Sequence, residues 1–457
     1  MPDARSGNCN GRTQGGSNAE IVIADAFVKG LPNIDYHLAL EAMLKDATIP
    51  PGGNEEAEGR GGLIPYLELG YIPYGIPRAG NRTIEYSYCD YAIALVAKGL
   101  GKTDLYQQYL KQSSNWKNLW RADYEHAGVK GFILPRDKEG NWLDKIPFGN
   151  SHIQKPTFTY TPVTFEGPWY TPWWNMFFYE ASSWEYALSI PHDVPGLIEQ
   201  CGGKEKFDER LDIFFDKGFF NVNNEPSFLT PCLYHWVGRP DKSGDRIHEI
   251  IQKNYNDAGL PGNDDSGAMS SWLVFHMMGL YPNAGQDYYL IHTPLLTESR
   301  FHLQEGKTFA IKTEGLSEKN KYIRSILLNG KNYPYSTIRH NDIIKGGELV
   351  LKMGPSPGKL GSKIFPESKH TMKKKLFICF LLIGSLMGNV MAQDIITNPL
   401  LFVFKLHGQT RKYQFTFNQS NDTLYLHWGI ERNTRWQSGS YAMPQEALKT
   451  AVRLSFL

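Results

Sequence analysis

The chain has 457 residues, enough for about two to four domains, and its 41% apolar content can fill large packed cores. Lysine plus arginine (48) and aspartate plus glutamate (47) cancel to a net charge of +1 with no extended basic cluster, which excludes nucleic acid as an expected partner. The cysteines Cys9, Cys89, Cys201, Cys232 and Cys379 are scattered and show no CxxC spacing, which argues against a zinc site or a disulfide framework. Most read as buried small apolar residues.

In chain order, residues 19–30 and 35–47 carry helical apolar spacing. A long loop runs from Thr48 to about Gly80. Residues 83–99 and 103–124 read as a second helix pair, and 126–172 as an aromatic-rich connection. Helices resume at 173–189, 194–201, 205–216, 226–237, 242–256 and 268–280. Helix pairs separated by long loops predict an α/α toroid over residues 1–283, and loops of that length inside a domain carry function. Gly59-Arg-Gly-Gly62 lacks the strand–helix setting of a phosphate loop. Ser182, Ser183, Ser270 and Ser271 lack a nucleophile-elbow setting.

After Tyr281 the pattern changes. Residues 288–292, 301–303, 308–313, 323–329 and 348–353 alternate or run apolar between turn signals such as Asn329-Gly330, and predict an antiparallel β unit over 284–365. A Gly/Pro/Ser/Lys-rich stretch leads to a tail at 366–371. Residues 372–393 have a basic start, an apolar middle and small residues ending at Ala392, the pattern of a secretory signal peptide. The alternative is a short internal membrane anchor; a true span is longer, so no stable membrane partner is expected. Residues 394–457 read as an unrelated β-rich segment, with strands at 412–417 and 422–428.

Three motifs carry the chemistry. Gly262-Asn-Asp-Asp-Ser-Gly267 displays Asp264 and Asp265 in a turn before a helix. As a local feature it reads as an N-cap with a first-turn acid; as chemistry it reads as a base that activates water. Glu180-Ala-Ser-Ser-Trp-Glu-Tyr186 puts Glu180 and Glu185 among aromatics that raise a carboxyl pKa, as a general acid requires. In one helix the two are about 140° apart, so at most one faces a site. Asn223-Asn-Glu-Pro-Ser227 reads as a turn entering a helix, with Glu225 at its start. Pro191-His-Asp-Val-Pro-Gly196 adds His192 and Asp193. The 13% aromatic content, mostly core, also suits sugar stacking.

Together these motifs resemble glycoside hydrolase family 92, the calcium-dependent exo-α-mannosidases, over about residues 1–365. The resemblance implies a mainly α fold, an (α/α)6 toroid followed by the β unit, and an inverting hydrolase that releases mannose from glycans such as N-glycans. It implies Asp265 as base with Asp264 assisting, and Glu180 or Glu185 as acid, Glu180 favoured. It implies calcium held by Asn224, Glu225 and Asp264, and substrate contacts from Trp184, His192, Asp193 and Glu225. It also implies a secreted or periplasmic bacterial enzyme, and a preceding β-sandwich domain. Residues 1–20 resemble an interior loop of the family, so the chain reads as truncated at its start and fused at residue 372 to another reading frame. Asn223 stands where the family often has Gly, and Phe228-Leu229 where paired His is frequent, which puts linkage specificity in doubt. Rival readings are a different (α/α)6 glycosidase and a remnant that binds carbohydrate without turnover.

Overall fold

The spine of the helical region is Ala79–Gly99, a 21-residue helix that buries polar and apolar residues alike, from Asn81 and Arg82 to Val96 and Ala97. A helix buried all round, with no single apolar stripe, lies inside its domain. Ala19–Val28, Tyr36–Thr48 and Thr103–Gln112 pack around it. Gly99 is required by that packing: a Cβ there would lie 2.2 Å from the Phe27 ring. In this computed structural model the described residues are 16–50, 59–147, 157–163, 177–179, 181–256, 259–262, 264, 267–358, 364, 400–406, 409–420, 423–432 and 435–444.

Asp90 of the spine sits in a buried polar cluster with residues from the segments around it. Buried Arg60 donates to Asp90 Oδ1 at 2.7 Å, to Ser17 Oγ at 2.9 Å and to Glu20 Oε1 at 3.3 Å. The Tyr66 hydroxyl donates to Asp90 Oδ2 at 2.8 Å. Burial pushes the Glu20 carboxyl up to about 8 against the opposing pull of Arg60. The Arg60 and Asp90 charges are tolerated in an interior because each has a hydrogen-bonded partner.

Several expected elements take a different form. Inside the expected 48–80 loop lies a helix, Leu63–Leu69, bracketed by Gly62 and Gly70, both left-handed. The expected helix 103–124 stops at Gln112 and passes through a 3₁₀ turn, Asn115–Leu119. It then becomes the strand Trp120–His126, paired antiparallel with Val129–Ile133. The hairpin turn is Ala127-Gly128, both at positive φ, which matches the right-handed twist of paired strands. Of the expected helix 173–189 only one turn, Ser183–Tyr186, is helical among the described residues. The segment expected as helix 226–237 is two 3₁₀ turns, Glu225–Ser227 and Thr230–Val237, each with a proline in its first positions.

The β unit holds two sheets. A five-stranded sheet runs in the order Lys331–Asn332, Tyr322–Leu328, Gly347–Gly354, Thr308–Glu314, Glu298–His302. Its one departure from antiparallel pairing is Gly347–Gly354 against Thr308–Glu314, which run parallel. The connection between them is long enough for that crossover and includes the short helix His340–Ile344. A three-stranded sheet joins Thr337–Arg339, Tyr288–Ile291 and Leu280–Pro282. Phe309, Ile311, Ile326, Leu349 and Leu351 form the sheet core.

The chain divides into two compact units, Met1–Pro366 and Glu367–Leu457. The helices and both sheets above belong to the first. The second contains a four-stranded antiparallel meander, Leu400–Leu406, Gln409–Ser420, Thr423–Arg432 and Arg435–Pro444. The signal-like stretch 372–393 and the start of the chain through residue 15 lie outside the described residues. Among the described residues no helix is long and apolar enough to cross a membrane.

Candidate active site

Glu185 is the most constrained carboxyl of the three motifs. Ser182 caps the Ser183–Tyr186 turn and forms a capping box with it. Glu185 Oε2 accepts from the Ser182 backbone N–H at 2.7 Å, and Ser182 Oγ accepts from the Glu185 N–H at 3.4 Å. The other oxygen, Oε1, accepts from Ser227 Oγ at 3.1 Å. Glu185 is 3% exposed. Burial is the main cause that pushes its pKa up to about 7, against these hydrogen bonds, which favour the ionised form.

Ser227 closes the Asn223–Ser227 motif, so the Glu185–Ser227 bond joins the first motif to the second across 42 positions of sequence. The second motif also abuts the third. A Cβ added to Gly262 would lie 2.6 Å from the Asn223 carbonyl oxygen and 3.0 Å from its Cα. The helix that follows is pinned to the same place, because the Trp272 indole donates to the Phe228 carbonyl at 3.0 Å. Glu185, the Asn223–Ser227 loop and the Gly262 loop thus meet at one junction, through a hydrogen bond on one side and close backbone packing on the other.

Asp264 begins the helix Ala268–Met277. Its Oδ1 accepts from the Ser270 N–H at 2.9 Å and its Oδ2 from Ser270 Oγ at 2.8 Å. Its carbonyl accepts from the Ala268 N–H at 2.7 Å. These bonds to Ser270 hold the Asp264 carboxyl below its usual range, so it is an anion at neutral pH. Asp265 and Glu180 lie outside the described residues.

His192, Asp193 and Trp184 occupy structural positions. His192 Nε2 donates to the Ser113 carbonyl at 2.9 Å, and its ring stacks on Tyr88 at 5.4 Å. Burial pushes it down to about 4, so it is neutral at pH 7. Asp193 caps Val194–Gln200 through the Gly196 N–H at 3.0 Å. It also takes the Trp116 indole N–H and the Lys117 ammonium, each at 3.3 Å. Only glycine fits at 196, where a Cβ would lie 2.3 Å from the Asp193 carboxylate. Among the described residues no hydrogen bond links this loop to Glu185, Ser227 or Asp264. Trp184 is fully buried. Phe219 stacks on it at 4.7 Å, Phe132 meets it edge-on at 4.9 Å, and the Arg210 guanidinium lies 5.1 Å away. Its indole donates to His126 Nδ1 at 3.0 Å. That packing makes Trp184 a core residue and leaves no ring face for the sugar contact expected of it.

The residues expected to hold a metal, Asn224, Glu225 and Asp264, all carry oxygen donors. That donor set suits a hard cation such as calcium. Among the described residues no three His, Cys, Asp or Glu side chains gather at one point, so amide and backbone oxygens would have to complete the shell. Ser227, Gly262 and Ser270 take part in these contacts although the sequence reading gave none of them a role in the site. For Ser182 a signal existed, because Ser182-Ser-Trp-Glu185 has the spacing of a capping box.

Comparison with known proteins identifies the family. Residues 1–355 match the model of the glycosyl hydrolase family 92 catalytic domain. An uncharacterized secreted glycosidase of Arthroderma benhamiae is 40% identical over 383 residues, which span 79% of this chain and 48% of that protein. A family 92 inverting mannosidase from Bacteroides thetaiotaomicron superposes with a TM-score of 0.67 at 30% identity, covering 78% of this chain and 48% of its own. A family 92 α-mannosidase of the same organism, in complex with mannoimidazole, gives 0.65 at 28% identity, covering 79% and 48%. The chain therefore spans about half the length of the relatives it matches.

Proposed function

Because the chain belongs to glycosyl hydrolase family 92, we propose that it is the catalytic part of an exported, exo-acting, inverting α-mannosidase that removes mannose from the non-reducing ends of glycans such as N-glycans. The observation that carries this reading is the junction itself. Three motifs far apart in sequence meet through Glu185–Ser227 and Asn223–Gly262. These two contacts support a reading in which the three loops work together.

Single displacement needs two carboxyls with a water between them, roughly 6.5–9.5 Å apart. On this reading the loop with Asp264 and Asp265 supplies the base. Asp265 takes the proton of the water, and Asp264, held ionised by Ser270, orients it. The acid comes from the turn bearing Glu180 and Glu185, with Glu180 favoured, and donates its proton to the leaving glycosidic oxygen. A calcium ion held by Asn224, Glu225 and Asp264 would supply positive charge to vicinal sugar hydroxyls.

The test is hydrolysis of α-1,2- and α-1,3-mannobiose by the full chain, with calcium and with EDTA, and with product anomers read by NMR. Calcium-dependent release of β-mannose supports the reading. Asp265→Ala should abolish release with little change in thermal unfolding. Binding of mannobiose without turnover would favour a carbohydrate-binding remnant. Hydrolysis of glucosides instead would favour a different glycosidase.

A further inference from the structure

We propose that four histidines at the seam between the helical region and the β unit, His235, His248, His276 and His292, form an acid-release latch: they hold the segment Ile291-His292-Thr293 at neutral pH and let it go as the pH falls toward 5. Each comes from a different element. His235 lies in the turn Thr230–Val237, His248 in the helix Pro240–Asn254 and His276 in the helix Ala268–Met277. His292 follows the strand Tyr288–Ile291. All four converge on the same three residues. His235 Nε2 donates to the Ile291 carbonyl at 2.9 Å, His248 Nε2 to the Thr293 carbonyl at 3.0 Å, and His292 Nδ1 to that same carbonyl at 3.1 Å. His276 Nδ1 lies 2.8 Å from His292 Nε2. His235, His276 and His292 are fully buried.

Geometry fixes the protons of the central pair. A carbonyl only accepts, so the Thr293 oxygen places the His292 proton on Nδ1 and leaves Nε2 as an acceptor. His276 then carries its proton on Nδ1, and its Nε2 is bare. That nitrogen is buried and has no hydrogen-bond partner among the described residues. The His276 ring stacks on Tyr281 at 4.5 Å and 4°, with Trp272 edge-on at 4.2 Å. A further proton has two places to go. On His276 Nε2 it makes a buried N–H with no acceptor; on His292 Nε2 it confronts the His276 N–H and breaks the bond. Burial accordingly pushes His292 down to about 3 and His276 well below its ordinary value.

Among the described residues, the ionisable groups that act on His276 and His292 are other histidines. Carboxylates stand only at the rim. Asp241 acts on His235 and is bound by Arg239 at 2.7 Å; Asp245 and Lys321 act on His248 and pair with each other at 2.6 Å. On the strand paired with Tyr288–Ile291, Arg339 is bound by Asp287. Burial keeps Tyr281 and Cys232 neutral. A histidine whose pKa is lowered by folding contributes stability that is present above about pH 6.5 and is lost as the pH falls. Glu20, Glu85 and Glu185 are raised by burial and act in the opposite sense, so they do not open the seam in acid. The helix Ala268–Met277 has His276 in its last turn and bonds Asp264 through Ser270 in its first, so release at one end reaches the Asp264 loop at the other.

The experiment is hydrogen exchange of the full chain at pH 7 and pH 5, corrected for the intrinsic exchange rate and read by mass spectrometry on peptides over 280–293. The spine Ala79–Gly99 is the internal reference. Exchange needs no turnover, so the latch is tested whatever the substrate. A histidine that excludes its proton in the closed seam and titrates near 6.5 in the open one multiplies the opening constant by about 25 between pH 7 and pH 5, and two such histidines by about 600. Protection over 280–293 should fall by about 25-fold to 600-fold, through an opening that leaves the spine protected at pH 5. A change under about threefold, or exchange of segment and spine at one common rate, would overturn the proposal. His276→Asn keeps a donor toward His292 Nε2, and His292→Gln keeps an acceptor toward His276; neither replacement can take a proton. Each should reduce the pH dependence of the segment by about 25-fold. Wild-type pH dependence in both variants would also end the proposal, and if a variant does not fold, the wild-type comparison of segment with spine decides.

Discussion

Gly262→Ala tests whether the catalytic loops meet where the structure joins them, and it does so without touching an ionisable group. The new methyl carbon would sit 2.6 Å from the Asn223 carbonyl oxygen, 3.0 Å from Asn223 Cα and 2.9 Å from the Met269 Cε. The methionine tip can swing aside. The Asn223 backbone cannot, because its loop is fixed at Ser227 and at Phe228. A carbon–oxygen contact relaxes at about 3.3 Å, so the two loops must part by about 0.7 Å. Forced separation of this kind costs about 1–3 kcal/mol in stability, and on the positioning argument lowers kcat by about tenfold to a hundredfold. The assay is thermal unfolding beside mannobiose kinetics, with Leu260→Ala as the control, since that side chain is 38% exposed and two positions away. Wild-type kcat and wild-type unfolding in Gly262→Ala would refute the reasoning. A fall in stability with unchanged kcat would leave the contact real and its catalytic meaning wrong.

Other outcomes follow from the same structure. Arg60→Met should cost about 3–5 kcal/mol in denaturant unfolding, because it strands the buried carboxylate of Asp90, and a loss under about 1 kcal/mol would show the cluster to be hydrated. Glu20 has its folded pKa raised from 4.5 to about 8, so its folded form holds the proton more tightly. That contribution is complete below pH 4.5 and is lost as pH rises through about 8, so Glu20→Gln should abolish part of the wild-type decline between pH 5 and 8.5. Parallel curves for the two proteins would contradict the burial argument. Ser270→Ala should cost about 1 kcal/mol by removing the hydroxyl bond to Asp264 at the helix start. EDTA should remove hydrolysis and added calcium should restore it; full activity in chelator would eliminate the cation from the mechanism.

Much of the helical region was legible because its signals are local. The helices Ala19–Val28, Tyr36–Thr48 and Lys204–Asp216 follow apolar spacing within a few residues. The strands Thr308–Glu314 and Tyr322–Leu328 follow alternation between turn residues. The hairpin at Trp120–Ile133 was hidden because its strand pattern is irregular and half exposed, and its Ala127-Gly128 turn is not a strong hairpin dipeptide. The parallel pairing of Gly347–Gly354 was hidden because strand direction is decided by tertiary contacts, not by alternation. For the site, residue types were legible and their connections were not. Nothing in the chain announces that Ser227 meets Glu185 or that Gly262 meets Asn223, since both contacts join loops through space. Trp184 misled for a related reason. An aromatic beside two acids reads as a sugar platform until its neighbours Phe219, Phe132 and Arg210 are known to cover it.

The motif residues do two jobs at once, and this changes how their mutants have to be read. Asp264 is a water- or cation-facing carboxylate on the proposed mechanism and also accepts the Ser270 backbone N–H in the first turn of Ala268–Met277, whose N-cap is Gly267. Asp193 lies in a motif shared with the family and caps Val194–Gln200. Glu185 sits between two candidate functions and closes a capping box. Loss of activity on substitution therefore identifies none of them as catalytic, because a cap removed at a loop that carries the base moves the base as surely as deleting it. The residues that separate the cases are those whose conservative replacement keeps the hydrogen bonds and removes only the proton: glutamine at 185 and asparagine at 264. If catalysis survives where the bonds survive, the residue is scaffold. If catalysis fails while unfolding is unchanged, the lost proton or charge was the function.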